Sequence, residues 1–133
     1  MTPEEKDLIQ YRLTRSHEAI EEALVLFKTG HLNACVNRLY YSCFYVVYAL
    51  LLTKGISTGK HTHLRSLLHR DYIKSGMISV EMGKHFDLLF NRRQESDYAD
   101  YVTFRKEEVE PWFERTQSFV TQIEQLIETL INN

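Results

Sequence analysis

Two short runs hold the side chains best able to do chemistry. The first is Asn91-Arg92-Arg93-Gln94-Glu95-Ser96-Asp97-Tyr98-Ala99-Asp100-Tyr101. Adjacent arginines present planar donor forks that match phosphate oxygens two at a time. The same guanidinium groups also sit about one helical turn before Asp97, where an internal ion pair would fix the chain turn. The second run is Asn37-Arg38-Leu39-Tyr40-Tyr41-Ser42-Cys43-Phe44. Asn37, Tyr41, Phe44 and Tyr48 share one helical face by the three-and-four rule. Burying an amide there without a partner costs roughly 1–3 kcal/mol. Asn37 and Arg38 therefore either bond to neighbouring helices or stand open at the helix start.

Other chemistries find less support. Of the six histidines, His61 and His63 are two apart, without the four-residue helical spacing or the nearby carboxylates of a zinc enzyme. No metal or other cofactor is expected. There is no glycine-rich phosphate loop, and no serine or cysteine stands in a nucleophile motif. Cys35 and Cys43 would lie about 12 Å apart along a helix, too far for a disulfide. They read as reduced core residues of a cytoplasmic protein. The acidic start Met1-Thr2-Pro3-Glu4-Glu5 lacks the apolar stretch of a signal peptide. Within Leu32 to Leu52 only the second half is continuously apolar or aromatic, which suits a buried core helix better than a membrane span.

The elements that must position these residues are all helices. Thr2, Pro3 and Glu5 form a helix start with a capping box, and Gly30 is the stop. Leu13, Ile20, Leu24 and Phe27 mark the inner face of this first helix. A second runs from about His31 to Thr53, apolar on nearly every side and hence central. Ile56 to Lys60 is a loop, with Ser57 or Thr58 as the next cap. A third helix spans about His61 to Lys74, and Gly76 ends it. Ser79 caps a fourth, about Val80 to Glu95, with Met82, Phe86, Leu89 and Phe90 inward. Asp97 to Thr103 breaks the pattern. A fifth runs from about Arg105 to Ile131, with Pro111 required in or near its first turn.

The chain has 133 residues, 44% hydrophobic and 26% charged. That suits one domain over residues 1–133 with a real core. The fold class is all-α, an antiparallel up-and-down bundle of four to five helices. A net charge of −2 does not demand nucleic acid, yet leaves room for a local basic patch.

The run Leu32 to Phe44 resembles the second-helix signature of HEPN domains, which occur as small prokaryotic proteins and beside minimal nucleotidyltransferases. Lys60-His61 after a short loop, then Arg93 to Asp97-Tyr98, is similar to the family's later signatures. The resemblance covers about Tyr11 to Ile127. It implies a helical bundle that dimerises, acts on RNA or nucleotides, and belongs to toxin–antitoxin or defence modules. Many relatives are metal-independent endoribonucleases whose motif is an arginine followed, after four to six residues, by histidine. Here Arg93 fits the arginine, and Tyr98 stands where histidine is expected. The resemblance thus points to Arg93, Asp97 and Tyr98 as catalytic candidates, with Asn37, Tyr41, His61 and Arg92 as ligand-binding ones. Histidine suits proton transfer near neutrality, whereas tyrosine is a poor base. Asp97 beside two arginines is held ionised and weakly basic.

Two functions follow as expectations. One is an RNA- or nucleotide-binding protein with weak or no ribonuclease activity. The other is a non-catalytic helical module that dimerises and binds a nucleotidyltransferase or another protein.

Overall fold

In a computed structural model, residues 1–132 are described and the chain folds as α-helices, with no strand among them. Helix α1 covers Pro3–Lys28, α2 Leu32–Leu52, α3 His61–Leu68, α4 Val80–Tyr98 and α5 Lys106–Ile131. Thr2 starts α1 as expected: its hydroxyl accepts from the Glu5 amide at 3.1 Å, and the Glu5 carboxylate accepts from the Thr2 amide at 3.0 Å. Gly30, at φ 80°, lets the chain reverse into α2 at once. The inner face of α1 is Ile9, Arg12, Ser16, Ala19, Ile20 and Ala23. Leu13 and Phe27 only flank it, and Leu24 is exposed. Large apolar residues had suggested a different phase. The small side chains win because they let α2 approach closely, with the Ser16 hydroxyl donating to the Ser42 carbonyl at 2.8 Å.

Cross-helix pairs fix the directions. Arg12 meets Tyr48, Ser16 meets Ser42 and Glu22 meets Arg38, so α1 and α2 run antiparallel. Asn37 meets Asp97, and Tyr40 meets Phe86, Phe90 and Arg93, so α2 and α4 are antiparallel as well. His17 with Glu124 and Phe27 with Phe113 set α5 antiparallel to α1. Helix α2 is the central one. Its length and composition would also suit a membrane span, but most of it is buried inside the bundle. Cys35 and Cys43 are unpaired in that core, and burial pushes the Cys35 thiol up to about 12.

Several sequence expectations need correction. Neither Ser57 nor Thr58 caps α3; Lys60 occupies that position without a side-chain bond. Ser57 instead accepts from Arg12 at 3.0 Å, and Thr58 accepts from the Lys60 amide at 3.3 Å. The third segment is α-helical only to Leu68 and then widens into a π turn, His69–Ile73. Gly83 of α4 packs against that turn, and a Cβ there would stand 3.2 Å from both His69 and Ile73. Helix α4 continues to Tyr98, so the break begins at Ala99 rather than Asp97. Pro111 falls in the second turn of α5, because the helix starts at Lys106, with the Glu108 carboxylate accepting from the Arg105 amide at 3.5 Å. Both Pro111 and Glu107, whose carbonyl loses its helical donor, face solvent.

Candidate functional site

The site forms where the start of α2, the end of α4 and the start of α3 converge. Arg93 is its anchor. Its side chain is only 7% exposed. Its guanidinium carbon lies 4.7 Å from the Tyr40 ring centre and 5.7 Å from that of Tyr41. Tyr40 itself is fully buried, so it offers no surface of its own. Two aromatic faces thus stabilise a cation that burial would otherwise disfavour. The extra turn of α4 carries Asp97 back beside Arg93, Nη1 to Oδ2 at 3.4 Å. Arg93 keeps unused donors: Nε is buried without a partner, while Nη2 makes no bond within the protein and reaches the surface.

Asn37 and Arg38 complete the α2 side. The Asn37 amide donates to the same Asp97 oxygen at 3.5 Å. Its carbonyl oxygen accepts from Arg38 Nε at 3.1 Å and Nη2 at 2.8 Å. Arg38 also reaches Glu22 at 3.3 Å and lies 5.0 Å from the Tyr41 ring centre. Leu26, Asn33, Ala34, Asn37, Arg38, Ser96 and Asp97 line an open cleft of about 410 Å³ at this point. A larger groove of about 600 Å³ runs between α1 and α5, bridged by His17 and Glu124 at 2.8 Å. It has no comparable arginine cluster.

His61 approaches from α3. Its Nδ1 is hydrogen-bonded to the Tyr40 hydroxyl at 2.7 Å. The ring stacks on Phe44 with centroids 4.4 Å apart and meets Tyr41 edge-on at 5.6 Å. Burial first, then the charge of Arg93, pushes its pKa below the usual imidazole value. Burial likewise raises the Tyr40 phenol, so it stays protonated.

The expected residues therefore divide. Arg93, Asp97, Asn37, Tyr41 and His61 come together. Arg92 turns outward, paired with Glu95 at 3.0 Å, and Tyr98 is 80% exposed at the last position of α4. On a helix, Asp97 shares the face of Arg93 and Tyr98 does not. Sequence reasoning gave Tyr40 no role of its own and missed it as the hub of the site. The available signal was its phenol, which needs a polar partner when buried on a central helix. Among the described residues no group of three or more His, Cys, Asp or Glu side chains could hold a metal ion.

These features define a class: a helical bundle with a buried, ring-supported arginine beside a polar cleft at the junction of its second and fourth helices. Residues 9–126 match the HEPN domain model, and the chain belongs to that family. It is 38% identical over 127 residues to a "UPF0332 protein" of Thermotoga maritima, covering 96% of both chains. Two Methanocaldococcus jannaschii proteins that bear the name "Putative toxin" are also similar. One is 33% identical over 74% of this chain and 67% of its own length, the other 27% identical over 95% and 93%.

Proposed function

We propose that this chain is the RNA- or nucleotide-binding HEPN component of a toxin–antitoxin or defence-like module, with weak metal-independent cleavage at most. The observation that carries this reading is Arg93, a largely buried cation beside two tyrosine rings whose Nη2 makes no hydrogen bond within the protein. Arg38 and the Asn37 amide stand beside it at the cleft. Phosphate oxygens suit such donors, and Tyr41 offers an adjoining ring for a base. The two relatives named as toxins support a toxin-like setting. The exposure of Tyr98 supports low cleavage, since no proton carrier stands at the usual motif position.

The test is binding of a labelled single-stranded RNA oligonucleotide in EDTA, followed by fluorescence anisotropy. Arg93→Ala should weaken binding about tenfold or more, the loss of one charge-assisted contact. Wild-type protein with no affinity for RNA or for a nucleoside triphosphate would overturn the reading.

One observation favours a second reading. Arg38, Asn37, Asp97 and Arg93 already bond to one another, which suits a self-contained scaffold. The chain would then be a non-catalytic module that dimerises and binds a minimal nucleotidyltransferase or another protein. Co-purification with a nucleotidyltransferase encoded beside it, unaffected by Arg93→Ala, would select this alternative.

A further inference from the structure

Cleaving RNA needs a group to carry the 2′-hydroxyl proton, and beside Arg93 helix α4 supplies only Asp97, whose carboxylate is engaged by Arg93 and Asn37. The bundle supplies one from another helix. His61 and Arg93 flank the same two rings: Tyr40 at 5.6 Å from His61 and 4.7 Å from Arg93, and Tyr41 at 5.6 and 5.7 Å. The Tyr40 hydroxyl fixes His61 through Nδ1, and Phe44 fixes the plane of its ring. The other nitrogen, Nε2, makes no hydrogen bond within the protein and is not among the buried unpaired atoms, so it is open to a ligand. The Nε2 edge of the ring is thus the free one, on an imidazole that shares the Tyr40 and Tyr41 rings with Arg93.

We infer that His61 Nε2 is the proton carrier for slow RNA transesterification at the Arg93 site, with Tyr40 as its positioning residue. This rests on the RNA-binding reading above. When Nδ1–H donates to the Tyr40 oxygen, Nε2 holds the lone pair. It takes the proton from a ribose 2′-hydroxyl, and the freed oxygen pair forms a bond to the adjacent phosphorus. The bond from phosphorus to the 5′-oxygen breaks, and its electron pair leaves with that oxygen. The 5′-oxygen takes a proton from water, and the imidazolium returns its proton to the resulting hydroxide. The products are a 2′,3′-cyclic phosphate and a 5′-hydroxyl, with no oxidant or metal in the balance. Arg93 offsets the extra negative charge on the phosphorane. A single proton carrier, without a second acid, explains why the reaction is slow.

The groups facing His61 are Tyr40, Tyr41 and Phe44 from α2 and Arg93 from α4. Of these only Arg93 is charged near neutrality, and with burial it keeps the imidazole neutral and able to accept a proton.

The experiment uses the full chain, single-stranded RNA of mixed sequence and EDTA, with cleavage and binding measured separately. Wild type should give cyclic-phosphate ends, and a 2′-deoxy substitution at the cleaved nucleotide should abolish them. His61→Gln, which keeps a hydrogen-bonding side chain near Tyr40, should lower kcat about 100-fold while Kd changes no more than about threefold. Its acidic pH–rate limb, with an apparent pKa below 6.5 in wild type, should disappear. Tyr40→Phe should cost about tenfold and shift that limb. A melting curve confirms that each variant is folded. RNA bound without cleavage, or full cleavage by His61→Gln, sinks this inference and leaves the binding reading intact. No RNA binding by wild type sinks both.

Discussion

At the scale of single residues, Arg93 and Asp97 have opposed roles. Asp97 holds the guanidinium in place, and it also occupies a donor that a phosphate would use. Asp97→Asn removes a carboxylate from a 7% exposed arginine, so stability should fall by about 1 kcal/mol, read as a lower urea midpoint. RNA affinity should move the other way, rising about threefold as the competing charge disappears. A fall in both would mean that Asp97 serves the ligand directly. His85 gives a different residue-scale test. It is buried, with Nε2 bonded to Thr116 at 2.9 Å and Nδ1 unpaired. Burial first, then the charge of Arg115, pushes its pKa down to about 4. The unfolded chain takes up that proton near pH 6.5, while the folded chain resists it to about pH 4. Folding stability is therefore fully expressed above the unfolded value and declines as pH falls toward 4, by up to about 3 kcal/mol. Denaturant melts from pH 7 to 4 should show this slope, shallower in His85→Gln. An unchanged slope in that variant would remove His85 as its source.

At the scale of elements, the contact between α4 and the π turn is a close geometric constraint. Gly83 permits it, since even a Cβ there meets His69 and Ile73 at 3.2 Å. The turn presents His69 to Asp87 at 2.9 Å, and α3 adds Arg65 to the same oxygen at 2.8 Å. Gly83→Val should push these segments apart and cost about 2–3 kcal/mol by thermal melting. A neutral outcome would show that the turn relaxes freely. This constraint also marks where sequence reading stops. Periodicity and punctuation located every helix, because Thr2-Pro3, Gly30, Gly76 and Ser79 act locally. The π turn left no such mark, since His69 to Ile73 keeps helical periodicity and differs only in which carbonyl accepts. The end of α4 was misplaced for a related reason. Ser96, Asp97 and Tyr98 are poor helix formers alone, and the local pair of Arg93 with Asp97 together with a tertiary bond from Asn37 holds them helical. Those same bonds build the site. Arg93, Asn37 and Tyr41 were legible as chemistry. The joining of His61 to Tyr40 was not, because only the packed bundle brings α3 across α2.

At the scale of the whole molecule, charge is unevenly placed. Glutamates crowd α5, at Glu107, Glu108, Glu110, Glu114, Glu124 and Glu128, whereas α3 and its π turn carry His61, His63, Arg65, His69 and Arg70 with Asp71 as their acid. On the α3 side Arg65 is already paired with Asp87 and Arg70 with Asp71, so for the proposed RNA ligand the uneven charge acts chiefly by turning a polyanion away from α5. The apolar surface is placed just as unevenly. Leu24 and Val25 are 43% and 61% exposed on α1, and Glu22, Val25, Leu26 and Arg38 line an open recess of about 440 Å³. This recess shares Leu26 and Arg38 with the polar cleft. A second copy related by a two-fold axis would cover Val25, pair the same patch on both protomers, and bring two Arg93 sites to one seam. The expected state is thus a homodimer at concentrations on the order of tens of micromolar, read by sedimentation velocity. Val25→Asp buries an unpaired carboxylate only if that surface is covered. It should yield folded monomers with an unchanged circular dichroism spectrum. It should also weaken RNA binding, since a seam with two arginine sites has become two separate ones. A wild type that sediments as a monomer would refute the dimer, and a dimeric Val25→Asp would move its interface away from the Arg93 cleft.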